Sequence, residues 1–300
     1  MSVTDEYKIT LLGFGEVGRV LAEDLLDATT AKLRIWDHQL AVCNSHASAH
    51  LAQFEDCERI DVAGDAVSAA QDAQLVISAV TADQAVLAAA SIAPGLPAGC
   101  WFLDVNSISP GNKQRVRAHV EAVAGRFVEA SIMSPIHPKR MASPILLAGP
   151  DVEAFVPLGS SLGFSQLRVV SEQPGIAAAT KMCRSVMIKG LEALVSESLL
   201  TARHYGVEQD VLDSLGNLLP GIDWQQHAHY LISRTLLHGE RRAAEMREVA
   251  TTVSEAGVTP WMSAHCAERQ AWAPQFKSAL DTKSLTDMLD SIREQMTASS

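Results

Sequence analysis

The stretch Thr10–Gly18, TLLGFGEVG, contains three glycines, Gly13, Gly15 and Gly18, directly after an apolar run. Glycine loses more backbone freedom on folding than other residues, so three in nine positions need a physical reason. The apolar run predicts a strand, and EVGRVLAEDLLDA after it predicts an amphipathic helix. At such a junction Gly13 permits the tight turn, Gly15 lets the backbone approach a pyrophosphate, and Gly18 allows the helix to pack on the strand. The stretch therefore predicts the first turn of a dinucleotide-binding domain.

The second predicted strand, KLRIWD, supplies the acid that such a domain needs. Asp37 ends this strand at about the spacing expected for a carboxylate that binds a ribose 2′-hydroxyl. A carboxylate would repel a 2′-phosphate, and His38 and Gln39 are poor substitutes for an arginine, so we expect NAD, with NADP less favoured. One alternative is a tight turn in an α/β protein that binds no nucleotide. A methyltransferase would also carry a glycine-rich turn and an acid after the second strand, but it would not need the helical half described next. The expected cofactor-binding residues are Gly13, Phe14, Gly15, Glu16, Val17, Gly18, Asp37, Val80, Thr81 and Asn106.

The chain changes character near residue 172. Before it, short apolar runs alternate with helical segments; these runs are KITLLG, KLRIWD, RIDVAG, QLVISAV, WFLDVN and RFVEAS, with SPILLAG and FSQLRVV as one or two further strands. After it, only helices are expected, among them two separate ones over DWQQHAHYLISRTLL and GERRAAEMREVATTVSEAG. The fold class is therefore predicted as α/β, with a doubly wound Rossmann sheet in residues 1–172 and an all-α domain in residues 173–300.

Composition excludes several classes of function. The 300 residues carry a formal net charge of -11 and no Lys/Arg block longer than two, so no nucleic-acid partner is expected. The acidic start MSVTDEYK and the lack of a long apolar stretch predict no leader and no membrane partner, hence a cytoplasmic protein. Five cysteines without a CxxC pair or zinc spacing predict no metal site and a reducing compartment.

Candidate chemistry lies at the strand ends and on one long helix. The segments SAVTADQA, DVNSISPGNK and EASIMSPIHPKR end three strands at the edge that faces a nicotinamide, although each polar residue alone could be an ordinary loop or cap. In GIAAATKMCRSVMIKGLEALVSESLL, a mostly apolar helix, one narrow polar stripe is formed by Lys181, Arg184, Ser185, Lys189, Glu192 and Ser196. Such a stripe is either solvated or lines a cleft. Hydride transfer from an alcohol requires a group that takes the hydroxyl proton, and a desolvated lysine such as Lys181 can do so.

Essentially the whole chain resembles the β-hydroxyacid dehydrogenases, which include 3-hydroxyisobutyrate dehydrogenase and relate to 6-phosphogluconate dehydrogenase. The resemblance rests on ITLLGFGEVGRVLAEDL, LDVNSISPGNK, VEASIMSPIHP and the long helix. It implies that Lys181 is the catalytic lysine. The chain departs from the family at Ser185, where asparagine is common, and at Ile132–Pro135, where Val-Ser-Gly-Gly is usual. RSVMIKGLEAL and HGERRAAEM are typical of a phosphogluconate-dehydrogenase-like branch, so the family's best-known substrates are not carried over.

The expected function is an NAD-dependent dehydrogenase that acts on the CH–OH group of a small, anionic hydroxy acid or reduces its carbonyl counterpart. The alternatives are an imine or ketone reductase of the same architecture and a non-catalytic nicotinamide-binding sensor. The long amphipathic helices predict a homodimer, from which His238, Arg241 and Arg242 could reach the other subunit's site, unless they form an exposed polar helix start. The expected substrate-binding residues are Ser107, Met133, Ser134, Pro135, Ser185, Lys189, His238 and Arg242.

Overall fold

The structure, a computed structural model, describes residues 7–42, 44–54 and 57–298. Cys43 and nearly all of the N-terminal segment MSVTDEYK lie outside these residues. The strands are β1 Lys8–Leu12, β2 Lys32–Trp36, β3 Ile60–Val62, β4 Leu75–Ser78, β5 Trp101–Asp104, β6 Arg126–Ile132, β7 Ile145–Ala148 and β8 Leu167–Ser171. The α-helices are α1 Glu16–Ala28, α2 His46–Leu51, α3 Ala66–Ala70, α4 Ala85–Ile92, α5 Pro110–Glu121, α6 Val152–Ser161, α7 Ile176–Tyr205, α8 Glu208–Leu218, α9 Trp224–Glu255, α10 Trp261–Trp272 and α11 Leu285–Ala298.

The strands form one 8-stranded sheet in the order β3-β2-β1-β4-β5-β6-β7-β8. Every neighbouring pair is parallel except β6 and β7. No α-helix separates β6 from β7, and without a crossover the chain can only return antiparallel. The order of the first six strands is that of a Rossmann fold, so the predicted fold class is confirmed, including both additional strands.

Both faces of this sheet are buried. Leu11 and Leu12 are adjacent on β1 and point to opposite faces, yet both are fully buried. Leu11 belongs to the apolar core that includes Leu21 and Leu25 of α1, whereas Leu12 belongs to the core that includes Ala89 and Ile92 of α4. Burial on both sides explains why the strands are unbroken apolar runs. Because β1–β6 run parallel, their carboxyl ends and the polar loops that follow them lie at one edge of the sheet.

The helical part of the chain has its own core. Leu199 of α7, Ile232 and Leu236 of α9 and Met288 of α11 belong to one buried apolar cluster. The two helices predicted over DWQQHAHYLISRTLL and GERRAAEMREVATTVSEAG are one continuous helix, α9, so that prediction was wrong. Gly239 does not interrupt the helix; a Cβ there would lie 2.3 Å from the carbonyl oxygen of Gln270, so the glycine allows α10 to approach.

The chain divides into two compact units between Lys181 and Met182, within α7. The predicted boundary at residue 172 lies before this helix. Lys181 therefore belongs with the sheet, in unit 1, and Ser185 and Lys189 belong to unit 2. Among the described residues no helix combines the length and the apolar character needed to cross a membrane.

Candidate functional site

The glycine turn has the geometry expected of a phosphate cradle. Gly13 has φ +98°, and a Cβ there would lie 2.6 Å from the carbonyl oxygen of Ala79. A Cβ on Gly18 would lie 2.2 Å from the carbonyl oxygen of Gly13, so this position packs α1 against the turn. A Cβ on Gly15, in contrast, would meet nothing within 4 Å. The open space above Gly15 is where a ligand can approach the backbone.

Asp37 is tied to this turn. Its Oδ2 accepts a hydrogen bond from the Phe14 backbone N–H at 2.8 Å, and its Oδ1 accepts one from the Gln39 N–H at 2.8 Å. The Phe14 side chain is fully buried and packs edge-on against Phe54, so only its backbone can serve a ligand. His50 of α2, which sequence analysis missed, has Nδ1 3.1 Å from the Phe14 carbonyl oxygen. The carboxylate thus links β2 to the glycine turn.

The ends of β4 and β5 are joined by the Asn106 side chain. Asn106 Oδ1 accepts a hydrogen bond from the Val80 N–H at 2.8 Å, and its Nδ2 donates to Ser78 Oγ at 2.9 Å and Asp104 Oδ1 at 2.6 Å. Asn106 is buried, so its amide orders the Val80 segment at the edge where a nicotinamide is expected. Thr81, next in the chain, is exposed. Direct contact of these residues with a cofactor stays a prediction.

The next residue of this loop meets the predicted catalytic lysine. Lys181 Nζ donates a hydrogen bond to Ser107 Oγ at 2.5 Å, and both residues are half-buried. Ser107 follows β5 and Lys181 lies in the second turn of α7, so residues 74 positions apart meet at the carboxyl edge of the sheet. A lysine at hydrogen-bond distance from a hydroxyl can exchange a proton with a bound alcohol or carbonyl oxygen.

The strand that leads to Ser107 and its neighbouring elements contain a group of buried ionisable side chains that sequence analysis missed. Lys113 of α5, Asp104 of β5 and Glu129 of β6 are fully buried. Lys113 Nζ lies 3.2 Å from Asp104 Oδ2 and donates to the Asp104 carbonyl oxygen at 2.9 Å. Asp104 and Glu129 are neighbours in the register of the parallel strands β5 and β6. Burial raises the pKa of Glu129 above its ordinary value, and the nearby Lys113 ammonium and the N–H groups of Gly175 and Ala178 offset this only in part. The available signal was a carboxylate within each apolar run, WFLDVN and RFVEAS.

The loop after β6 carries the predicted substrate residues Met133, Ser134 and Pro135. Ser134 Oγ is buried and has no hydrogen-bond partner among the described residues, although buried polar atoms are usually paired. Farther along, Arg140 has φ +52° and donates to Asp24 at 2.7 Å and Glu23 at 2.7 Å, both on α1. The loop is thereby anchored to the helix that follows the glycine turn.

The predicted substrate residues of unit 2 lie in a network of charges. Lys189 Nζ is 2.6 Å from Glu245 Oε2 and 3.4 Å from the hydroxyl of Ser185. Arg242 is buried and forms an ion pair with Glu192, which also accepts a hydrogen bond from Gln270 Nε2 at 3.2 Å. An incoming anion would have to compete with these carboxylates.

His238, Arg241 and Arg242 all lie in the middle of α9. The alternative of an exposed helix start is therefore wrong for these residues. Arg241 is exposed and lies 3.4 Å from Glu245 Oε1, and His238 is half-buried. Their contribution to substrate binding stays a prediction.

The residues at the turn fit a nicotinamide dinucleotide. Gly15, the N-cap of α1, has no side chain that could accept from the first-turn amides, including those of Glu16 and Val17, so these amides remain suited to a pyrophosphate. Asp37 lies at the end of β2 beside them, where a ribose would be read. The described residues contain no group of three or more His, Cys, Asp or Glu that could hold a metal ion.

Comparisons with known proteins agree with this arrangement. Residues 8–157 match the family described as the NAD binding domain of 6-phosphogluconate dehydrogenase, and residues 202–273 match a domain of unknown function, DUF1932. A conserved hypothetical protein from Sinorhizobium meliloti 1021 is 32% identical, with 97% of each chain covered and a TM-score of 0.76.

Two more distant structures show the fold alone. The 3-hydroxyisobutyrate dehydrogenase of Salmonella typhimurium is 17% identical over 96% of this chain and 100% of its own, with a TM-score of 0.67. An imine reductase from Streptomyces aurantiacus is 16% identical over 95% of this chain and 99% of its own, with a TM-score of 0.54. The cofactor class is NAD(P). By its matched domains and its fold, the chain belongs to the β-hydroxyacid dehydrogenase family, in a branch that joins the NAD binding domain of 6-phosphogluconate dehydrogenase to a DUF1932 domain.

Proposed function

We propose that the protein is an NAD-dependent oxidoreductase that transfers a hydride between the nicotinamide and a small hydroxy acid, or its carbonyl counterpart, with Lys181 as the general acid and base. The observation that carries the proposal is the hydrogen bond from Lys181 Nζ to Ser107 Oγ at the carboxyl edge of the sheet. This edge is where ligands bind in open α/β sheets. Asp37 supports NAD over NADP, because its carboxylate would repel a 2′-phosphate.

The residues of the chain have separable tasks in this reaction. Bound NAD would supply the hydride acceptor at the edge. Lys181 Nζ takes the hydroxyl proton as the alcohol is oxidised and returns it in the reverse direction, which is typically worth about 10²–10⁴ in rate. Ser107 Oγ, already hydrogen-bonded to Lys181, orients the side-chain nitrogen, which must be a neutral amine when it takes the proton. Ser134, in the loop that corresponds by resemblance to the family's substrate loop, would bind the substrate through its unpartnered hydroxyl once the loop uncovers it.

The test is turnover of Lys181 variants on a substrate found by screening hydroxy acids, sugar acids and aldehydes through the absorbance of reduced nicotinamide. Lys181→Ala should lower kcat by about 100- to 10,000-fold and leave NAD binding nearly intact. Lys181→Arg keeps the charge but does not release its proton, so it should not restore turnover. Lys277→Ala, at an exposed site in unit 2, is the matched control and should behave as wild type. Near-normal turnover of Lys181→Ala would refute the proton-transfer role.

One observation favours a second candidate, a reductase of imines or uncharged ketones. Lys189 and Arg242, the cations expected to hold an anionic substrate, are paired with Glu245 and Glu192. The screen should therefore include cyclic imines and neutral ketones with NADH and NADPH. Turnover of these compounds without turnover of any hydroxy acid would select the reductase, and binding of cofactor without turnover of any compound would select the sensor.

A further inference from the structure

Helix α7 begins against a side chain from the sheet. The backbone N–H groups of Gly175 and Ala178 both donate to the carboxylate of Glu129, which lies on β6; the second of these hydrogen bonds is 2.5 Å long. Gln114 Nε2 of α5 donates to the carbonyl oxygen of Pro174 at 2.5 Å, just before the helix. The first turn of α7 is thus held from two other elements of unit 1.

A carboxylate is suited to this position for two reasons. The first-turn N–H groups of a helix have no intrahelical acceptor, and the helix dipole favours a negative charge at that end. One carboxylate also presents two acceptor oxygens, whereas a glutamine of the same shape would turn an NH₂ group towards one of the amides. Glu129 therefore satisfies two donors at once.

The arrangement is costly for a purpose that is only structural. Burying a charge is expensive, and apolar residues of similar volume often stabilise a core equally well. Here three ionisable side chains, Asp104, Lys113 and Glu129, are fully buried on neighbouring elements.

The two strands that carry these carboxylates also carry the two halves of the proposed proton-transfer pair. Asp104 ends β5, and Ser107 follows it in the loop; Glu129 on β6 holds the helix start, and Lys181 lies in the second turn of that helix. Unpinned first turns fray readily, and a frayed turn would move Lys181 away from the Ser107 hydroxyl. Small displacements of a catalytic group are known to cost large factors in rate.

We propose that Glu129 is a positioning residue: its hydrogen bonds to the first amides of α7 fix Lys181 at Ser107. The inference rests on the proposed role of Lys181. The Lys113 ammonium lies near this carboxyl group and favours its ionised form.

The experiment compares Glu129→Gln with the conservative Glu129→Asp. Competitive labelling of lysines by an amine-reactive reagent, followed by mass spectrometry across pH, reports the environment of Lys181 without needing a substrate, with exposed Lys277 as internal reference. Turnover and KM for NAD are measured on the same preparations. Thr10→Val is the matched control, because it removes a buried hydrogen bond from Thr10 Oγ1 to the Ala69 carbonyl oxygen on another part of the sheet.

Glu129→Gln should change the labelling profile of Lys181 several-fold relative to Lys277 and lower kcat by about 10- to 100-fold, with KM for NAD nearly unchanged. Glu129→Asp should recover part of both, because a carboxyl group with two acceptor oxygens remains. Thr10→Val should lose thermal stability only. If Glu129→Gln does not fold, Gln114→Ala, an exposed site that loses only the hydrogen bond to Pro174, should show the same changes at smaller size.

A variant of Glu129 with lowered Tm but wild-type labelling of Lys181 and wild-type kcat would overturn the positioning role. This outcome is distinct from failure of the proposed function, which would appear as normal turnover in Lys181→Ala. Labelling still tests the positioning of the lysine in that case.

Discussion

Replacing Gly15 by alanine should separate cofactor binding from folding. Gly15 has φ -74° and ψ -160°, which alanine adopts, and its Cβ would meet nothing within 4 Å. The fold should therefore be unharmed, and loss of unfolded-state freedom should stabilise it by about 0.4–1 kcal/mol. The added methyl group would occupy the space through which a pyrophosphate reaches the backbone amides.

The expected loss of affinity follows from that contact. A hydrogen bond between a backbone N–H and a charged group contributes about 1.5–3 kcal/mol. At about 1.4 kcal/mol for each factor of ten, losing one such bond should weaken NADH binding by roughly 10- to 100-fold. Fluorescence titration with NADH gives the Kd, and thermal unfolding gives the Tm of the same sample.

Two further glycine variants serve as controls for Gly15→Ala. Gly18→Ala would place a Cβ 2.2 Å from the Gly13 carbonyl oxygen, so it should lose both binding and stability, the latter by about 1–3 kcal/mol. Gly216→Ala, in α8, also meets nothing within 4 Å and should leave NADH binding unchanged. Wild-type affinity in Gly15→Ala would refute the assignment of the turn as a phosphate cradle, and a lowered Tm would refute the argument that the space above it is open.

Three other predictions address the cofactor, acid stability and assembly. Asp37→Asn should shift the ratio of NAD to NADP affinity towards NADP by roughly tenfold, about 1.4 kcal/mol, because the charge that repels a 2′-phosphate is lost; an unchanged ratio in paired titrations would contradict this. Hydrogen bonding to Arg203 holds the pKa of Asp290 below its ordinary value of 3.8, so the stability that this pair provides is present above that pH and lost as the pH falls through the lowered pKa. The Tm deficit of Asp290→Asn should accordingly shrink when melts are repeated at pH 7, 4 and 2, and a constant deficit would speak against it. Light scattering at micromolar concentration should give the mass of two chains, and a stable monomer would rule out the proposed homodimer.

The glycine turn could be predicted from the sequence because all of its parts are close together along the chain. The strand, the three glycines, the helix and Asp37 follow one another within thirty or so positions, and the period of apolar residues changes visibly between them. Helix α9 could not be predicted in this way, because the role of its glycine depends on a neighbouring helix. Gly239 resembles a helix break in the sequence, but in the structure it makes room for the backbone of α10.

The buried charges could not be predicted for a related reason. Lysine and glutamate are rarely fully buried, so Lys113 and Glu129 resemble surface residues in the sequence. Glu129 meets its partner Gly175 across 46 positions, and Lys181 meets Ser107 across 74. No spacing rule links such pairs, and only the adjacency of β5 and β6 in the sheet brings them together.

The anchoring of Arg140 to α1 divides the loop between β6 and β7 into parts with different freedom to change. Met141 is buried and its backbone N–H also donates to Asp24, at 3.1 Å, so substitutions from Arg140 onward would disturb the helix that follows the glycine turn. Pro135 and His137, just before the anchor, are exposed and make no such contact with α1. Sequence variation can therefore accumulate in this short exposed segment, next to the unpartnered hydroxyl of Ser134, while the cofactor half of the protein keeps its shape.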